Sequence, residues 1–131
     1  MVDDLNILFE IIDEIESDDS GIYNFYPIVE ELVVEIIEEI LREYNFHFEK
    51  QKDGKYKILK NNITNDVKKK VIDYFNQNIK EQEFNKEGEL YVDALGLYSL
   101  DPLSIIQIVK DMGYNCFMDY DGKFVVKLKK I

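Results

Sequence analysis

The chain is poor in the residues from which most catalytic and metal sites are built. It has one cysteine, Cys116, one histidine, His47, one arginine, Arg42, two prolines and no tryptophan. A single cysteine excludes an internal disulfide and a cysteine-cluster metal site. A single histidine leaves neither a zinc set nor a Ser/His/Asp triad easy to assemble. The six glycines are scattered singly, so no phosphate-cradling loop or dinucleotide fingerprint is present. No apolar run approaches the roughly 18 residues that span a bilayer. The start, MVDDLNILFE, carries acids where a signal peptide carries bases. The expectation is a cytoplasmic protein without cofactor or metal and without catalytic activity. Carboxylates are abundant, but no pair is marked by an apolar setting or a partner base.

What the chain does have is acid, unevenly placed. Residues 1–50 hold fifteen Asp and Glu against two Lys and Arg, whereas residues 51–131 hold twelve against fourteen. The first part repels nucleic acid and the second tolerates it.

Apolar residues make up 46 % of the 131, enough for a real core. In DDLNILFEIIDEIE the apolar positions 5, 8, 12 and 15, with 7 and 11 beside them, predict a helix over 3–16. SDDSG breaks it, and Pro27 opens a second helix to Tyr44. YNFHFEKQKDGKYKILK then alternates around Asp53-Gly54, a hairpin signal, with strands near 45–51 and 55–60. Thr64 or Asn65 caps a helix over about 65–80. ELYVDALGL fits a short helix better than a strand, Asp101-Pro102 opens a helix to about Met112, and YNCFMDYDGKFVVKLKK forms a second hairpin around Asp121-Gly122. Both hairpins follow a helix end and Tyr-Asn, share Asp-Gly-Lys and end in lysine, which suggests an internal repeat. The expected fold is α+β: two similar helix-plus-hairpin halves, 1–61 and 62–131, packed as one compact unit.

Residues 65–131 resemble a winged helix-turn-helix domain. YVDALGLYS matches the phrase that ends the second helix of that family, residues 102–112 stand where its third helix does, and residues 114–129 stand for its wing. Residues 1–61 resemble a degenerate second copy, with its second helix falling in 21–26. The resemblance implies DNA contacts by Ser104, Gln107, Lys110 and Lys123. The same family also serves as protein-docking modules, and the missing arginine and acidic first half favour that use. Residues 67–99, from VKKKVIDYF to LGLYSL, are also similar to the start of an acyl carrier protein, which would make Ser99 a modified serine. That family's Asp-Ser-Leu is here Tyr98-Ser99-Leu100, and the chain continues into a hairpin instead of two further helices.

The remaining candidate is the acidic helix. Glu31, Glu35, Glu38 and Glu39 fall along one side, with Glu30 and Glu43 nearby and only Arg42 to offset Glu38. Glu31–Glu35 and Glu35–Glu39 are like-charged pairs one turn apart, each costing a few tenths of a kcal/mol. Asp13, Asp18 and Asp19 extend the charge. Such a face keeps a protein soluble, or it docks another protein with a basic surface. The function expected is an interaction or regulatory module, of the inhibitor or immunity type. A winged-helix DNA-binding regulator is the alternative.

Overall fold

A computed structural model describes residues 4–16, 23–25, 31–53, 56–59 and 62–129. The protein is α+β and divides into two units, Met1–Asn61 and Asn62–Ile131. Unit 1 runs α1 (Asp4–Glu16), β1 (Tyr23–Phe25), α2 (Glu31–Glu43), β2 (His47–Lys50) and β3 (Tyr56–Leu59). Unit 2 runs α3 (Asn65–Glu81), β4 (Glu89–Val92), α4 (Pro102–Asp111), β5 (Asn115–Met118) and β6 (Phe124–Lys127), with one 3-10 turn at Leu97–Ser99 before α4. Helix, strand, helix, hairpin is therefore built twice. Each unit has an antiparallel sheet of three strands in the same order, β1-β3-β2 and β4-β6-β5.

The match extends to single positions. Tyr56 and Phe124 each pair with the last residue of the preceding strand, Lys50 and Met118, and each is fully buried. Asn45 and Gly113, each two residues beyond its helix, have positive φ of 68° and 103°. Left-handed backbone ends a helix at little cost for glycine and tolerably for asparagine, so both hairpins leave their helices by the same stop.

Unit 1 packs Leu8, Ile11, Ile12 and Ile15 of α1 with Ile37, Ile40 and Leu41 of α2, Phe46, Tyr56 and Ile58. The helical spacing of DDLNILFEIIDEIE predicts the α1 positions. Residues 27–30, where Pro27 is expected to open α2, lie outside the described residues. In unit 2, Val71 and Phe75 of α3 meet the inner face of the sheet, with Phe75 edge-on to Phe124 at 6.3 Å. Thr64 caps α3 by accepting from Val67 N at 3.2 Å.

Two expectations are corrected. ELYVDALGL holds no α-helix, and only its last residue, Leu97, enters the 3-10 turn. Glu89–Val92 is a strand on β6, with Leu90 and Val92 turned in and Tyr91 turned out. Period-two burial over four residues is hard to tell from one helical turn. The deciding contact comes from Asn85, whose Oδ1 accepts from Glu87 N at 3.0 Å and Glu89 N at 2.9 Å and turns the chain into the ladder. Likewise the helix sought in 21–26 is replaced at Tyr23–Phe25 by β1, paired to β3.

Candidate functional site

The acidic side of α2 is clearest at Glu35, Glu39 and Glu43, all exposed and one turn apart. Asp13 on α1 is exposed as well. Glu31 begins α2 but its side chain lies outside the described residues, as do Asp18 and Asp19 altogether.

Glu38 departs from its expected place. It is half-buried and accepts a hydrogen bond at 3.0 Å from the hydroxyl of Tyr56, eighteen residues away. Arg42 lies with its guanidinium carbon 5.5 Å over the ring of Phe48, which in turn meets Tyr56 edge-on at 5.7 Å. Glu38 is thus committed to holding the hairpin on the helix, and the stripe offered to solvent continues through Glu43.

Burial first, then the bond to Glu38 and its charge, push the Tyr56 hydroxyl up from the usual value near 10 to about 12, with Arg42 pulling the other way. Below pH 10 the phenol is protonated in both folded and unfolded chains and its contribution is complete. Between pH 10 and 12 the unfolded chain ionises first, so stability falls as pH rises. In Tyr56→Phe this alkaline loss should vanish from denaturant-unfolding curves, with a cost at neutral pH of about 1 kcal/mol.

The residues implied by the winged-helix resemblance are less available. In α4, Pro102, Ile105, Ile106, Ile108 and Val109 are buried, and its exposed strip is Gln107, Lys110 and Asp111. Gln107 Nε2 donates to Asp111 Oδ1 at 3.0 Å. Ser104 gives both its backbone N–H and its hydroxyl to the Asp101 carboxylate, at 2.9 and 2.6 Å. Lys123 is exposed at the end of the second hairpin loop, whose shape is set by Asp119 Oδ1 accepting from the N–H groups of Asp121 and Lys123, each at 2.9 Å. Ser104, Gln107 and Lys110 therefore share one helix, but two of the three are turned onto carboxylates.

Ser99 is exposed in a left-handed stretch, with φ of 51° at Tyr98 and 57° at Ser99. The head of α4 belongs to Asp101, its N-cap, and not to the serine. Among the described residues no group of three or more His, Cys, Asp or Glu is placed to hold a metal ion, and no helix is long and apolar enough to cross a membrane.

A feature with no counterpart in the sequence reading lies on unit 2. Tyr91, Phe117, Tyr98, Tyr120 and Leu128 keep 41–66 % of their surface exposed. Tyr91 and Phe117 are both register partners of Val125 in the central strand, so the three share one side of the sheet, on which Val125 itself is buried. The only advance signal was alternation in ELYV and NCFM, which says nothing about pairing until the register is known. No protein-family model, curated protein or solved structure matches the chain.

Proposed function

We propose that the protein is a non-catalytic cytoplasmic interaction module that docks a basic surface of another protein through α2 of unit 1. The observation that carries this reading is the exposed stripe Glu35, Glu39 and Glu43, set in a half where sixteen acids face six bases over residues 1–61. Like charges held one turn apart cost the isolated helix a few tenths of a kcal/mol per pair. An opposing basic surface removes that cost and is captured faster because of the field. The class is that of acidic inhibitors and immunity-type proteins.

The test compares the chain with the triple variant Glu35→Lys, Glu39→Lys, Glu43→Lys as bait in its native extract. A specific partner retained by the first should bind the variant at least about 100-fold more weakly, since like-charge juxtaposition costs several kcal/mol. The variant keeps its fold because three solvated side chains change. Equal retention of the same partners by both baits rejects the stripe.

The winged-helix reading of unit 2 is supported by a last helix followed by a hairpin and by Lys123 at the hairpin loop, whereas β4 and a 3-10 turn stand where its second helix would be. As a DNA reader through α4 it is the weaker proposal, because the strip that would face a groove ends in Asp111 and has no arginine. A gel shift with random duplex at low salt, where phosphate contacts are strongest, decides it: a saturable shift lost in Lys110→Gln and Lys123→Gln would overturn protein docking as the principal activity.

A further inference from the structure

Unit 2 repeats unit 1 position by position over its last helix and hairpin. His47 paired with Leu59 recurs sixty-eight positions later as Asn115 with Lys127, and Lys50 with Tyr56 recurs as Met118 with Phe124. The helix ends match as well. The N–H of Asn45 donates to the Arg42 carbonyl at 3.1 Å, and that of Gly113 to the Lys110 carbonyl at 3.0 Å. Ile37, Ile40 and Leu41 are buried in α2, and their counterparts Ile105, Ile108 and Val109 are buried in α4. With no insertion between these points, each side chain of one unit has a definite counterpart in the other.

The chemistry changes where the helix meets the hairpin. Glu38 and Tyr56 are joined by their 3.0 Å hydrogen bond, whereas the same two positions in unit 2 hold Ile106 and Phe124, 2 % and 0 % exposed. Around the unit 1 pair stand Arg42, over the Phe48 ring, and Lys50, whose Nζ lies 6.0 Å from the centre of the Tyr56 ring. Unit 2 has Lys110, Cys116 and Met118 at those three positions. The same backbone is thus built with a carboxylate and a phenol in one half and two apolar side chains in the other, so the fold does not require the polar pair. The two solutions differ in what opening costs. Lifting the unit 2 hairpin bares Phe124 and its apolar neighbours, which the hydrophobic effect opposes in full. Lifting the unit 1 hairpin bares the Tyr56 ring too, but it also returns a carboxylate and a hydroxyl to water, and these recover the solvation that burial removed.

We propose that the Glu38–Tyr56 pair is a catch that lets the hairpin of β2 and β3 lift from α2 while the hairpin of unit 2 stays closed. A carboxylate and a hydroxyl meet at one distance and angle, so the pair fixes the closed position, yet it holds that position less firmly than apolar packing does. Each partner alone is a liability. Without Glu38 the hydroxyl of the fully buried Tyr56 loses its acceptor, and without the hydroxyl the half-buried carboxylate loses its donor. The catch belongs to the fold of unit 1 and does not rest on docking through the acidic stripe.

The test is native-state hydrogen exchange of the full chain, read by mass spectrometry on peptides within 46–59 and 114–127. In the natural chain the first segment should be at least about tenfold less protected than the second. The variant carrying both Glu38→Ile and Tyr56→Phe gives unit 1 the side chains of unit 2. It should slow exchange across 46–59 about tenfold and leave 114–127 unchanged. Glu38→Ile alone and Tyr56→Phe alone should each speed exchange across 46–59, so the effect changes sign between the single variants and the double. Two residues that served only as packing would give effects of one sign that add. Protection of 46–59 equal to that of 114–127 overturns the inference. So does a double variant that exchanges at the natural rate or faster, or one that slows both hairpins equally.

Discussion

Phe124→Ala is expected to unfold unit 2. Phe124 is fully buried in the central strand β6, pairs with Val92 on one side and Met118 on the other, and meets Phe75 of α3 edge-on. It therefore ties both outer strands and the long helix to one ring. Removing a buried phenylalanine costs about 3–5 kcal/mol, the lost transfer energy plus the cavity left behind. A core of about 70 residues seldom supplies more than that in total. Loss of part of the cooperative transition in thermal or denaturant unfolding, followed by circular dichroism, is the readout. Phe124→Leu, which fills most of the volume, should keep the fold at a fraction of the cost. A variant with alanine that unfolds within 1 kcal/mol of the natural chain would mean that the Phe75–Phe124 contact is not central to the unit.

The second large effect is expected at Asp101, through hydrogen bonds that are also buried. Asp101 is 5 % exposed, and its two oxygens hold the N–H and the hydroxyl of Ser104. Asp101→Ala should cost about 2 kcal/mol, the upper end for an N-cap, because the Ser104 hydroxyl also loses its acceptor. Asp101→Asn keeps an acceptor oxygen and should recover most of the loss. Ser99→Ala, an exposed position outside the cap, is the control and should change the unfolding midpoint by less than about 0.5 kcal/mol. The comparison separates two neighbouring candidates for the head of α4. A larger cost at Ser99 than at Asp101 would reverse the assignment of the cap.

The parts legible in the sequence were those written in local periodicity and punctuation. Ile11, Ile12 and Ile15, or Ile105, Ile106 and Val109, recur at helical spacing and are buried as that spacing requires. Asp53-Gly54 and Asp121-Gly122 mark the two hairpins, and Thr64 and Asp101-Pro102 mark helix starts. What stayed hidden depends on partners far along the chain. β1 has three residues and β4 four, too few for a period to declare itself, and each is fixed by hydrogen bonds to a strand more than thirty residues later. Glu38 belongs by spacing to the acidic side of its helix, and the hydroxyl that draws it inward arrives with Tyr56. The aromatic row is a further case: Tyr91 and Phe117 become neighbours of one valine only once β6 lies between their strands. Charge segregation, by contrast, needs only counting. It was plain from the start, and it is why the acidic stripe was readable and the nearness of Tyr91 and Phe117 was not.

Cys116 lies in β5 with its side chain turned into the unit 2 core, and it is the only thiol in the chain. Unit 2 thus carries its own clock. A thiol reagent can reach the sulfur when β5 leaves the sheet, so the rate of modification reads how often that occurs, without a probe being added. Unit 1 has no such group and is silent in the same tube. Opening of one half can therefore be timed in the intact chain while anything bound to either half is varied.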